Sequence, residues 1–134
     1  MRILLVDGTN LTRIMNNYKV RPFAEEDAAS AVLISQIDKA NATYAWKKEI
    51  FFDGRKRKIA KDSYTTDIFY GKGKKADELI VNTVAEYFLN YKPEEIIVVT
   101  SDRDLGRRCE FYGAQVVKSE NFLTIWLDMP IVSC

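Results

Sequence analysis

Residues 95–104, EIIVVTSDRD, hold the reading that decides the fold: four consecutive β-branched aliphatic residues, Ile96 to Val99, run without alternation into Thr100, Ser101 and Asp102. A strand with no polar face has to be buried on both sides, which is the condition of a parallel sheet covered by helices. RILLV at residues 2–6 repeats the pattern and stops at Asp7-Gly8. These two strands frame the remaining assignments. Asn10 begins a short helix, and a longer helical stretch over 24–44, after Pro22, carries Val32, Leu33, Ile37 and Ala40 at helical spacing. A second strand is expected at 48–52, ending in Asp53-Gly54, and a third at 64–70. A helix over 76–89 with Leu79, Ile80, Val84 and Phe88 inward leads through Lys92-Pro93 into the strand at 95–100. A helix from 104 to 112 stops at Gly113, and 115–118 supplies a fifth strand, with the tail beyond Ser119 unassigned. The expected architecture is three-layer α/β/α around a mainly parallel five-stranded sheet in the order 3-2-1-4-5.

At 134 residues with 47% hydrophobic content, we expect a single domain over 1–134 that buries a core unaided. The sequence has no histidine and only two cysteines, Cys109 and Cys134, far apart. Zinc held by His and Cys is thereby excluded, as are Ser-His-Asp and Cys-His catalysis. Chemistry must rest on carboxylates, Lys, Tyr or metal-held water. The apolar run before Asp7 is too brief for a signal peptide or a membrane span, so a cytoplasmic location is the default expectation.

In open parallel sheets the functional crevice lies beyond the carboxyl ends of the strands, near the point where strand order reverses. Asp7 and Asp102 each follow one of the two most apolar runs, and neighbouring first and fourth strands would bring them to one crevice. Asp77, in the first turn of its helix, and Asp104, two residues beyond Asp102, can converge there too. Grouped carboxylates repel one another unless cations neutralise them, which points to Mg²⁺ or Mn²⁺. Against this stands helix capping: a strand-end aspartate is also a good cap, and Asp77 and Asp104 suit helix N-terminal turns. Asp53 reads more readily as the first half of an Asp-Gly turn than as a ligand. Asn10 either orients a phosphate or caps its helix, and Ser101 and Thr100 either support the site or satisfy strand-end backbone.

The net charge of +1 hides two basic runs, Arg55, Lys56, Arg57, Lys58 and Lys61, and then Lys72, Lys74 and Lys75. Together with Arg103 these are the candidates for backbone phosphate contacts, the alternative being solvated loops. Gly71-Lys-Gly-Lys-Lys lacks the GxxxxGK[ST] spacing, so nucleoside triphosphate binding is set aside.

Ile3-Leu-Leu-Val-Asp-Gly-Thr-Asn10, Lys74-Lys-Ala-Asp77-Glu-Leu-Ile and Val98-Val-Thr-Ser-Asp102-Arg-Asp104-Leu, followed by Gly113-Ala, together resemble the PIN-like nucleases, in particular the YacP-like members of the NYN branch. The resemblance implies a metal-dependent nuclease that cuts RNA in preference to DNA, as an endoribonuclease leaving a 5′-phosphate and a 3′-hydroxyl. It further implies Asp7 as the first ligand of Mg²⁺ or Mn²⁺, Asn10 as its polar companion, Asp77 as the mid-chain acid, and Asp102 and Asp104 as the final pair. YacP-like proteins resemble ribosome-associated endoribonucleases. The chain departs from that pattern in its long basic insertion between the second and third strands and its short tail after Phe122. A Toprim-type domain would place Glu where Asp7 stands, a haloacid-dehalogenase-like phosphatase would want Asp-x-Asp after the first strand, and neither explains Asp77. The remaining alternatives are a nucleic-acid-binding or ribonucleoprotein-interaction module of the same fold without turnover, and a structure-specific DNA nuclease.

Overall fold

A computed structural model describes residues 1–17, 22–59 and 65–129. Its order is β1 (Arg2–Asp7), α1 (Gly8–Met15), α2 (Phe23–Lys39), a 3₁₀ turn (Asn41–Thr43), β2 (Lys47–Phe52), β3 (Asp67–Tyr70), α3 (Ala76–Asn90), β4 (Glu95–Val99), α4 (Arg103–Phe111), β5 (Gln115–Val117) and α5 (Ser119–Asn121), which runs on as a π-helix over Phe122–Trp126. All strand pairs are parallel and the sheet order is β3-β2-β1-β4-β5, as expected. Register places Val6 opposite both Ile50 and Val99, so β1, β2 and β4 end side by side.

The continuous apolar strands do what their composition requires. Leu4, Val6, Ile50, Phe52, Ile97 and Val99 pack on one face against α1, α2 and the π-helix, through Leu11, Ile34, Ile37 and Phe122. Ile3, Leu5, Phe51, Ile96 and Val98 pack on the other against α3 and α4, through Ile80, Val84 and Leu105. The inner face of α3 includes Ile80 and Val84, as its spacing predicts, with Ala76, Val81 and Tyr87 added. In α2 the predicted Leu33 and Ile37 are buried, with Ile34 added, while Val32 is 47% exposed. The helix ends at Lys39, short of the predicted Tyr44.

Strand β3 starts at Asp67. The part of its expected range at residue 64 lies outside the described residues, and Thr65 and Thr66 are held instead by Asp38 of α2, which accepts from both backbone N–H groups and both hydroxyls. Gly113 closes α4 with φ +107°, the left-handed conformation that a C-terminal glycine cap requires. Among the described residues, no helix is long and apolar enough to cross a membrane.

Candidate active site

Where β1, β2 and β4 end, a cleft of about 230 Å³ is lined by Asp7, Asp53, Asp77 and Asp102 together with Thr9, Asn10, Arg13 and Lys75. Three of these carboxylates are fixed by the amino ends of helices. Asp7 caps α1 by accepting from Asn10 N (3.2 Å), Asp102 caps α4 by accepting from Leu105 N (3.1 Å), and Asp53 accepts from Ala76 N (2.5 Å), the first residue of α3. Capping and lining the cleft are therefore one arrangement: the strand-end acids satisfy orphan helix N–H groups, and the positive ends of three helices surround the acids. Asp77 sits one residue into α3, its carboxylate accepting from Glu78 N.

Asp7 is only 8% exposed. Its second oxygen accepts from Thr100 Oγ1 (3.0 Å), and that hydroxyl oxygen in turn accepts from Asp102 N. Burial pushes the Asp7 carboxyl up to about 6; the Asn10 and Thr100 hydrogen bonds pull it down, and the negative charges of Asp53 and Asp102 push it further up. A carboxylate this costly to ionise, beside other acids, favours a cation close to it.

The donor set fits a hard divalent cation, since every cleft acid offers oxygen and no softer ligand is among the residues that line the cleft. Among the described residues, however, no three ligating side chains stand close enough to hold one ion by themselves. A Mg²⁺ or Mn²⁺ ion here would be bound through one or two carboxylates, with water and phosphate oxygens completing its shell.

The structure brings together Asp7, Asp77 and Asp102 as the sequence suggests, but Asp104 stands apart. Because Asp102 takes the capping position, Asp104 falls about 200° round the helix from it. It is exposed on the first turn of α4, outside the cleft lining, and its charge acts on Arg108. Arg103 is likewise exposed at the start of α4 and does not line the cleft.

Asp53 takes the vacant place. It does begin a turn, with Gly54 at φ +67°, yet its backbone N–H donates to Thr9 Oγ1 (2.8 Å) and its carboxylate faces the cleft. The strand-end rule that found Asp7 and Asp102 also points to Asp53; the Asp-Gly turn signal masked it. Arg13, which carries no motif, is brought to the cleft by the helical turn of α1.

Asn10 is neither cap nor free group. Its Oδ1 accepts from Ser101 N (3.0 Å) and from Ser119 Oγ (2.6 Å), clamping α1 to the end of β4 and to α5. Ser101 is turned away from the cleft: its hydroxyl donates to Glu120 Oε2 (2.5 Å) and accepts from Ser119 N. Its hydroxyl ties the end of β4 to α5, and Ser101 is not among the residues that line the cleft.

The basic segment divides. Arg55 is spent on α2, pairing with Glu26 (2.9 Å) and Asp27 (2.8 Å) while stacked over the Phe23 ring. It is a tether for the loop, not an open phosphate contact. Arg57 is buried, Lys56 and Lys72 line a separate groove beside β3, and Lys58 borders a shallower depression next to it. From the second basic run only Lys75 lines the cleft, and Lys74 is exposed on the loop. Cys109 is buried in the core and its thiol is pushed up to about 12 by burial, so it is no nucleophile.

A profile of the YacP-like NYN domain family matches residues 4–129. Two crystal structures of Rae1 (YacP) from Bacillus subtilis, one of them a mutant, superpose with a TM-score of 0.71; identities are 24% and 23%, with 92% of this chain and 72% and 73% of those chains covered. At that identity the likeness is one of fold. No curated protein matches the chain.

Proposed function

The chain belongs to the YacP-like NYN domain family, a nuclease-type fold, and from that premise we propose that its aspartate cleft hydrolyses phosphodiester bonds of RNA with a divalent cation, Mg²⁺ or Mn²⁺. The observation that carries the reading is the meeting of Asp7, Asp53, Asp77 and Asp102 around one cleft at the ends of β1, β2 and β4. A bound divalent cation supplies Lewis acidity toward the phosphate and lowers the cost of producing the attacking hydroxide. Asp7 and Asp102 would hold it, with Asp53 and Asp77 flanking.

The rest is the chain's own work. Asn10 N and Thr100 Oγ1 fix both oxygens of Asp7, so its orientation costs nothing at the moment of reaction. Asp102 spends one oxygen on Leu105 N and keeps the other for the cleft. Arg13 of α1 and Lys75 of the loop before α3 are placed to neutralise phosphate charge. With the Asn10 carbonyl doubly engaged, its amide N–H₂ is the end left for a phosphate oxygen. Asp104, Lys74 and Arg103 have no place in the reacting cleft, though their exposure leaves them open to a long substrate.

The test is cleavage of labelled single-stranded RNA, structured RNA and flapped DNA in Mn²⁺ or EDTA, with Asp102→Asn and Asp53→Asn alongside. Asn caps a helix as well as Asp does, so each exchange keeps the hydrogen bond and removes the charge. The expected result is metal-dependent cutting of RNA that falls by roughly 10²-fold or more in Asp102→Asn with the fold intact, the scale of losing a group that stabilises reacting charge. RNA bound but not cut by the unaltered protein in Mn²⁺ would overturn the reading in favour of a binding module.

A further inference from the structure

Ser119, the first residue of α5, is fully buried, and its hydroxyl donates to Asn10 Oδ1 at 2.6 Å, a bond between residues 109 positions apart in the chain. The same oxygen accepts from the backbone N–H of Ser101 at 3.0 Å. Ser119 also holds that second donor, because its own N–H donates to Ser101 Oγ at 3.0 Å while the Ser101 hydroxyl donates to Glu120 Oε2. A carbonyl oxygen has two lone pairs, and both of those on Asn10 are filled by groups that Ser119 supplies or steadies.

These two donors decide which end of the Asn10 amide is left for the cleft that the residue lines. The Ser101 N–H can only donate, so an amide turned the other way would set its N–H₂ against another N–H. One such bond fixes the sense of the amide; the second, from a different element, fixes its plane. Asn10 is also the residue whose backbone N–H donates to Asp7 Oδ1, so any movement of Asn10 reaches the first carboxylate of the cleft.

Ser119 itself lines no part of the cleft, and α5 does not depend on it to stay on the sheet. Phe122 and Leu123, directly after α5, are buried in the core and do that work. A hydroxyl that spends its one proton on a cleft residue has a use beyond packing. Resting on the nuclease reading above, we propose that Ser119 is a positioning residue that acts through Asn10. It holds the amide with N–H₂ toward the cleft, where a phosphate oxygen of the substrate accepts from it, and keeps Asp7 under its cap.

The test is a double-mutant cycle of Ser119→Ala and Asn10→Ala, read by single-turnover cleavage of labelled RNA in Mn²⁺ and by the side-chain amide signals of isotope-labelled protein in NMR. The Asn10 N–H₂ pair is the one that Asn10→Ala removes. Ser119→Ala should move that pair toward the position of a free amide and slow cleavage by about tenfold, the size of one buried hydrogen bond. The double variant should cleave within about twofold of Asn10→Ala, because a residue that acts through Asn10 has nothing left to lose once Asn10 is gone. If Ser119→Ala does not fold, Ser119→Cys, which fills the place and donates weakly, enters the cycle instead.

A loss of stability with the Asn10 signals unmoved is the outcome of a packing role and overturns the proposal. So does a Ser119 effect on cleavage that multiplies with that of Asn10→Ala. Cleavage equal in Ser119→Ala and the unaltered protein overturns the positioning role and leaves the nuclease. No cutting of any RNA by the unaltered protein overturns the nuclease; the amide signals then decide the hold of Ser119 on Asn10 by themselves, a shift sustaining it and its absence overturning it.

Discussion

Single atoms of the cleft aspartates serve two purposes, and this separates the predictions for each substitution. Asp53 holds Ala76 N through its carboxylate and is itself held by Thr9 Oγ1 through its N–H. Asp53→Ala removes a helix cap and should cost about 1 kcal/mol of unfolding free energy, whereas Asp53→Asn should cost a few tenths and still lower cleavage. Thr9→Val strands the Asp53 N–H and should cost about 1–2 kcal/mol by urea unfolding, with cleavage reduced because Asp53 is released toward the cleft. Equal stability loss in Asp53→Ala and Asp53→Asn would show that the carboxylate charge, not the cap, is what the fold uses. Asp7, Asp53 and Asp102 each follow a buried strand, and that was legible in the residues. That Asp53 belongs with the others and Asp104 does not depends on helix phase and on the Thr9 contact, which no local pattern contains.

Elements position the cleft by close approach. A Cβ on Gly8, the first residue of α1, would lie 2.6 Å from Phe52 Cε1 and 2.9 Å from Ile50 Cγ1, two core side chains of β2. Neither can yield easily in a packed interior. Gly8→Ala should therefore destabilise by about 1–3 kcal/mol, measured by chemical denaturation, and should depress cleavage beyond what lost stability explains, because α1 carries Asp7's cap and Arg13. An unaltered midpoint would mean that β2 gives way at no cost. The contact between α3 and α4 is fixed further by Arg108, whose guanidinium donates two hydrogen bonds to Glu78 at 2.9 and 3.1 Å. Through it the helix that carries Asp77 and the one capped by Asp102 keep their spacing.

At the scale of the whole molecule, the two ends of the sheet carry different chemistry. Opposite the cleft, Glu49 is 4% exposed on β2 and accepts from Tyr87 of α3 through both oxygens, at 3.0 and 2.9 Å. Burial raises the Glu49 carboxyl above its ordinary 4.5, the Tyr87 hydrogen bond only partly offsetting it, and burial with the Glu49 bond raises Tyr87 well above the usual phenol range. The folded chain thus holds a proton that the unfolded chain releases near 4.5. Stability falls as pH rises above that value until Glu49 ionises in the folded state, and stays at the lower level beyond. Glu49→Gln still accepts from Tyr87 and removes the ionisation, so thermal unfolding should show it more stable than the unaltered protein at neutral pH and close to it at pH 4. A variant less stable at neutral pH would show that the charge, through Lys47 nearby, is favourable.

The sequence by itself determined the layers, the sheet order and the two acids at the carboxyl ends of β1 and β4. Unbroken runs such as Ile96–Val99 can be satisfied only by burial on both faces, and a strand's end is fixed by where that run stops. The reversal of order beside β1 follows from the same burial, which puts the most apolar strands at the centre. Only the tertiary structure decided which charged side chains share a space. Arg55 is drawn off to Glu26 and Asp27, Ser101 to Glu120, and Asp104 to the far side of its helix, while Asp53 and Arg13 arrive from segments distant in the chain. Periodicity records which face of an element is buried, but polar partners are chosen by distance and direction across elements, and those exist only once the chain has packed.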